Sequence, residues 1–146
     1  MRKTLSRRLV LGSLLMLVLS SNQFNLALEK DTNLEDTNWQ LLNMKVLGGF
    51  LFTPRDPSQY RLNFRSENRL TGTSDCNTIT GSYFQESIGF RFDPFVSTRK
   101  LCPPGSLHNN LVLILKDVNE IEFRDGKMFM TNGYDGVELE FEKRGF

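Results

Sequence analysis

The chain has 146 residues, 39% hydrophobic and 24% charged, with 18 Lys and Arg against 17 Asp and Glu. The charge is unevenly placed: Arg2, Lys3, Arg7 and Arg8 stand at the start, and every acidic residue lies at or beyond Glu29. Without the first 20 residues the remainder carries 14 basic and 17 acidic side chains, a formal charge of −3 with no basic block, which excludes the electrostatic footprint of a nucleic-acid binder.

Residues 1–20 have the layout of an export signal. The basic n-region is followed by an apolar run, Leu9 to Leu19, of 11 residues. A relaxed transmembrane helix needs about 20, so the run fits a cleaved signal peptide better than a permanent N-terminal anchor. Val18-Leu19-Ser20 is an acceptable cleavage triplet and Asn25-Leu26-Ala27 a weaker one, which sets the boundary between residues 20 and 27. Ser6-Arg7-Arg8-Leu9-Val10-Leu11 brushes against the twin-arginine pattern, with general secretion as the default route. No cysteine stands near the cleavage region, so no lipid-anchor cysteine is available. The expected location is periplasmic or secreted, with no stable membrane span after cleavage.

Residues 21–36 form a polar lead-in, and 37–146 a single small domain. Trp39 to Leu42 opens a sheet. Gly48-Gly49-Phe50-Leu51-Phe52 is either a second strand or an exposed contact patch, and the buried strand is the reading adopted. Tyr60, Leu62 and Phe64 alternate with Arg61, Asn63 and Arg65, the period of a half-buried strand. Ile88, Phe90 and Phe92 repeat it. Pro103-Pro104 and the small residue Ser106 then introduce helical spacing in Leu107, Leu111, Ile114, Leu115 and Val118, predicting one helix over about 104–118. Ile121 and Phe123, an Asp125-Gly126 turn, and Lys127 to Met130 read as a hairpin. Val137, Leu139 and Phe141 alternate with Glu138, Glu140 and Glu142 in the last strand. The fold class is therefore mainly β: a small antiparallel barrel-like or strongly curved sheet with one packed α-helix. Most of the 12 phenylalanines belong to its core, although a few could ring a barrel mouth and hold an apolar ligand.

Several residues in this order carry a resemblance. They are Trp39, the strand Tyr60 to Phe64, Leu70-Thr71-Gly72, Cys76-Asn77, Gly81-Ser82-Tyr83, Ser97-Thr98-Arg99 and Cys102-Pro103. Together they resemble the META domain, the family of the HslJ heat-shock protein, over about Leu34 to Lys143. The chain departs from the family pattern at Ser74-Asp75, where two glycines are usual, at Lys100, where Met is usual, and at Asn109 and Asn110, where an acidic residue is frequent. If the missing glycines serve a turn with positive φ, Asp75 tolerates that region well. The resemblance implies a barrel-like domain of envelope or secreted proteins, often linked to stress tolerance, with no established catalytic residues. Asn77, Gly81, Ser82, Tyr83, Ser97, Thr98, Arg99 and Pro103 are its candidate motif surface.

Cys76 and Cys102 are the only cysteines, an even number bound for an oxidising compartment if export holds. A bridge would close a loop of about 25 residues, worth roughly 3 kcal/mol by chain entropy. Unpaired thiols and a redox-active pair are the other two states. Cys102 directly precedes the predicted helix, whose positive end would activate a thiol, which keeps the redox alternative open. His108, the single histidine, lacks a fourth partner for a metal and reads as a solvated or capping residue. Asn77, Thr78, Thr80, Ser82 and Tyr83 could line a polar pocket with Arg99 as an anion clamp. Turn chemistry and an exposed strand face account for them more simply. No catalytic residue, metal or cofactor is expected. The chain reads as an exported, non-enzymatic, monomeric module that binds an unidentified envelope protein or small ligand, or protects against stress.

Overall fold

A computed structural model describes residues 33–86, 89–133 and 136–145. The expected signal peptide and Ile88 lie outside the described residues. Ten strands and one α-helix follow one another as β1 (Thr37–Lys45), β2 (Leu51–Phe52), β3 (Tyr60–Arg65), β4 (Arg69–Ser74), β5 (Asn77–Glu86), β6 (Gly89–Phe92), β7 (Val96–Ser97), α1 (His108–Leu115), β8 (Glu120–Arg124), β9 (Lys127–Thr131) and β10 (Glu138–Arg144). Eight of the strands form an antiparallel path, β6-β5-β4-β3-β1-β10-β9-β8, while β2 pairs beside β1 and β7 beside β5.

The alternation seen in the sequence decides which way each strand faces. Tyr60, Leu62 and Phe64 of β3, and Leu139 and Phe141 of β10, are buried, while their neighbours lie at or near the surface. The β1–β10 register slips between Leu41 and Asn43, an irregularity of the kind that coils a strand and helps a sheet curl. The path then nearly closes into a barrel: Phe90 N–H donates to the Asn119 carbonyl at 3.2 Å, joining the start of β6 to the start of β8. Side chains fill the interior. Phe64 meets Tyr83 edge-on at 4.9 Å and Phe90 meets Phe92 edge-on at 4.8 Å, while Leu41, Leu62, Met128, Met130 and Phe141 are fully buried.

Tight reversals depend on left-handed backbone. Asp125 and Gly126 both have positive φ, 51° and 76°, as a two-residue hairpin requires. Asp75 has φ of 57°, so the position where the family favours glycine does take the strained region.

Three expectations are corrected. The helix covers 108–115 rather than 104–118, because Pro103–Gly105 forms a turn in which Ser106 N–H bonds the Pro103 carbonyl and Gly105 adopts φ of 85°. Leu111 and Leu115 of its expected apolar face are buried, as is Val118, three residues beyond the helix. The Phe50–Phe52 stretch is not a buried strand: Phe50 is 67% and Leu51 62% exposed, and only two residues pair with β1. His108 is buried rather than solvated.

Candidate functional site

The motif residues converge on one corner of the barrel, where β4 turns into β5. Cys76 and Cys102 form a disulfide there, with Cα atoms 5.5 Å apart. Both cysteines are half-buried. The centre of the corner is Asn77, only 1% exposed. Its carboxamide pairs with Lys100 as a peptide unit would: Oδ1 accepts the Lys100 N–H at 2.8 Å, and Nδ2 donates to the Lys100 carbonyl at 3.1 Å. The same Nδ2 lies 3.2 Å from Cys76 Sγ and 3.1 Å from Cys102 Sγ. Oδ1 also accepts the Thr98 hydroxyl at 2.8 Å, and that hydroxyl oxygen accepts the Thr78 N–H at 3.0 Å. Such a buried amide is stable only when its donors and acceptors are met, and here they are.

The local sequence explains why the 96–100 segment lies along β5. Val96 and Ser97 pair with Thr80 and Ile79, and Thr98 N–H continues the ladder to the Thr78 carbonyl at 3.1 Å. Close approach of the loop requires Gly81, since a Cβ there would stand 2.5 Å from the Phe95 Cβ. Thus Gly81 serves packing. Ser82 is half-buried, and its carbonyl accepts the Asp93 N–H at 3.0 Å. Tyr83 belongs to the core, 2% exposed, and burial raises its hydroxyl pKa above 10.0. Asn77 and Tyr83 are therefore interior residues rather than parts of a surface.

The helix start completes the corner. Tyr60 Oη accepts the Leu107 N–H at 2.9 Å, and Ser106 Oγ accepts the His108 N–H at 3.2 Å, satisfying two donors of the first turn. His108 Nε2 lies 3.5 Å from Ser97 Oγ, whereas Nδ1 is buried without a hydrogen-bond partner within bonding geometry. Burial pushes the imidazole pKa below its ordinary value; the Asp75 charge and the nearby Ser74 carbonyl oppose that shift in part. Arg99 and Pro103 are exposed, and among the described residues Arg99 makes no ion pair. Cys102 stands six residues before His108, so it does not adjoin the helix start as the sequence suggested.

Sequence reasoning missed two contributors, the Lys100 backbone and Phe95. Main-chain groups have no residue-type signature, and Phe95 resembles any other core aromatic. The burial of His108 was also hidden, since a histidine beside two asparagines gives no apolar pattern.

Fold and corner together define a small antiparallel barrel with a disulfide-braced motif loop. The META domain profile matches residues 32–145, and the chain belongs to the META domain family. A search of the curated proteins finds no match. Among solved structures, an NMR structure of a protein from Burkholderia xenovorans is similar at 22% identity and TM-score 0.66, covering 77% of this chain and 85% of that one. A crystal structure of a DUF4847 family protein from Bacteroides vulgatus is similar at 11% identity and TM-score 0.56, covering 75% and 93% respectively. At these identities the likeness is one of fold.

Proposed function

We propose that the chain is an exported, non-enzymatic META module of the cell envelope that acts by binding or in stress protection, with Cys76–Cys102 as a structural brace. The observation that supports this most is the use of the Asn77 carboxamide. Its donors and acceptor are spent on Lys100, Thr98 and the two sulfurs, leaving the central motif residue to hold the loop and not a substrate. A disulfide fits an oxidising compartment. No helix among the described residues is long and apolar enough to cross a membrane. The basic and apolar start of the chain supplies the export signal, cleaved between residues 20 and 27.

One observation favours a redox-active pair as a second reading. The Asn77 amide group beside both sulfurs would stabilise a thiolate by hydrogen bonding. The separation of Cys102 from the helix start removes the other argument for it.

A single preparation tests both. Protein recovered from the exported fraction is alkylated with and without reductant, weighed intact, and then titrated with glutathione. The expected result is a chain starting between residues 21 and 28, unalkylated until reduced, whose bridge survives a glutathione buffer. A bridge that opens readily, with one thiol reacting well below pH 8, selects the redox reading. An uncleaved chain in the cytoplasmic fraction overturns export.

A further inference from the structure

The eight-strand path closes imperfectly, and the gap has a chemistry of its own. β8 is the last strand of the path, and among the described residues its outer edge meets β6 at one backbone bond, Phe90 N–H to the Asn119 carbonyl. Among the described residues the rest of the outer β8 edge has no strand partner, and a groove of about 580 Å³ lies beside it. This falls within the roughly 300–1,000 Å³ of ligand-binding clefts. Phe90, Ile121 and Phe123 provide its apolar side, and Glu86, Glu120 and Glu122 its charge; among the described residues no lysine or arginine lines it. Glu122 is shared with Arg124 at 3.4 Å, and Glu120 accepts the Thr131 hydroxyl at 3.3 Å.

We propose that this groove docks an extended cationic segment of a partner protein, which adds to β8 as a strand. A free strand edge presents backbone donors and acceptors that a second extended chain satisfies, with alternate side chains supplying specificity. The alternation follows from β8 itself. Ile121 and Phe123 are half-buried on one face, while Glu120 and Glu122 are exposed on the other. A strand laid beside them repeats that pattern: apolar side chains toward Phe90, Ile121 and Phe123, and Lys or Arg beside the two carboxylates, where opposite charges across strands are favourable. β8 is five residues long, which sets the length of the docked segment. The inference deepens the binding-module reading, on which it rests for the claim that the chain acts by binding.

A rival occupant is the chain's own N-terminal segment. Leu34 N–H donates to Gln85 Oε1 at 3.4 Å, and Gln85 lines the groove, so the first described residues stand beside it. A titration of the full exported chain, 15N-labelled, separates the two. The probes are a capped Lys-Val-Lys-Val-Lys peptide, a Glu-Val-Glu-Val-Glu counterpart, and the first peptide N-methylated at its valines. The cationic peptide is expected to shift the Glu120–Arg124 amides and slow their exchange, with the acidic peptide at least tenfold weaker and the N-methylated one inactive. The Glu120→Gln, Glu122→Gln double variant, folded as the parent by its spectrum, is expected to bind the cationic peptide roughly 3- to 10-fold more weakly. Equal binding of both charges, or shifts confined to other strands, overturns the proposal. So does a β8 edge already protected in the peptide-free chain and freed by removing residues 21–32, which assigns the groove to the chain itself. The export and glutathione measurements do not depend on this titration, so the two readings fail separately.

Discussion

β2 and β7 are both two-residue strands that lie off the main path, each paired to one strand of the barrel, yet they are held in opposite ways. β7 continues into the Asn77 network and a disulfide, so the loop after it is fixed by polar bonds and a covalent link. β2 has two paired residues, a Val46 N–H bond to the Phe50 carbonyl at 2.9 Å, and a Thr53 hydroxyl bonded to Asn43 Oδ1 at 2.9 Å. The apolar side chains of β2 and of the loop before it are exposed, Leu47, Phe50 and Leu51 each by more than half. Two residues of ladder repay little of the ordering entropy of a loop, so a short strand stays in place only with help from outside the ladder. The β7 loop has that help in buried form and the β2 flap does not.

The largest break in this comparison is removal of the bridge. Cys102→Ser is expected to cost about 3 kcal/mol, the chain-entropy value for a loop of this length, with a sequence separation of 26. Urea denaturation monitored by tryptophan fluorescence would show the loss as a lower midpoint; Trp39, the single Trp, is buried. A loss below about 1 kcal/mol would mean that the hydrogen bonds alone hold the loop.

Asn77→Ala comes next, at about 2 kcal/mol, because it strands the Lys100 N–H and carbonyl without their partner. Since Asn77 touches both sulfurs, its effect and that of Cys102→Ser should not add. A double variant that equals the sum of the singles would show the two braces to be independent.

This corner also marks how far the sequence could be read. Strands with strict alternation, such as Tyr60–Phe64 and Leu139–Phe141, were legible because burial on one face imposes a period of two. The Asp125-Gly126 turn was legible because few residues accept positive φ. The roles of Asn77 and Gly81 were not, since one depends on the main chain of a residue 23 positions away and the other on the approach of Phe95. The flap was misread for a related reason. An apolar run predicts burial only if some other element covers it, and Phe50–Phe52, paired to the end of β1 through two residues, stays exposed.

A smaller effect comes from His108, whose buried ring ties the helix start to the corner. Burial lowers the ring's pKa below the unfolded value near 6.5, against the opposing pull of the Asp75 charge and the Ser74 backbone. Between the two values the unfolded chain binds more protons, so stability rises with pH through that window. It is fully present above 6.5 and is lost as pH falls through the folded pKa. His108→Gln removes this dependence. Denaturation midpoints are compared from pH 7.5 down to pH 5, and the parent's should fall relative to the variant's as the pH falls. Parallel curves would show that the ring does not titrate differently in the two states.

The smallest stability effect is expected at the flap, and it is the sharpest test of the contrast. The Phe50→Ser, Leu51→Ser double variant should change stability by less than about 0.5 kcal/mol, because neither side chain is buried within the chain. The same exchange at core positions such as Phe64 and Leu62, both fully buried, would cost several times more. Sedimentation of the flap variant supplies the second readout. Large apolar side chains that stabilise nothing in the folded chain still lower its solubility, so the variant should self-associate less than the parent at high concentration. A flap variant that unfolds more readily than the parent would place these side chains in a packed arrangement and erase the difference between β2 and β7.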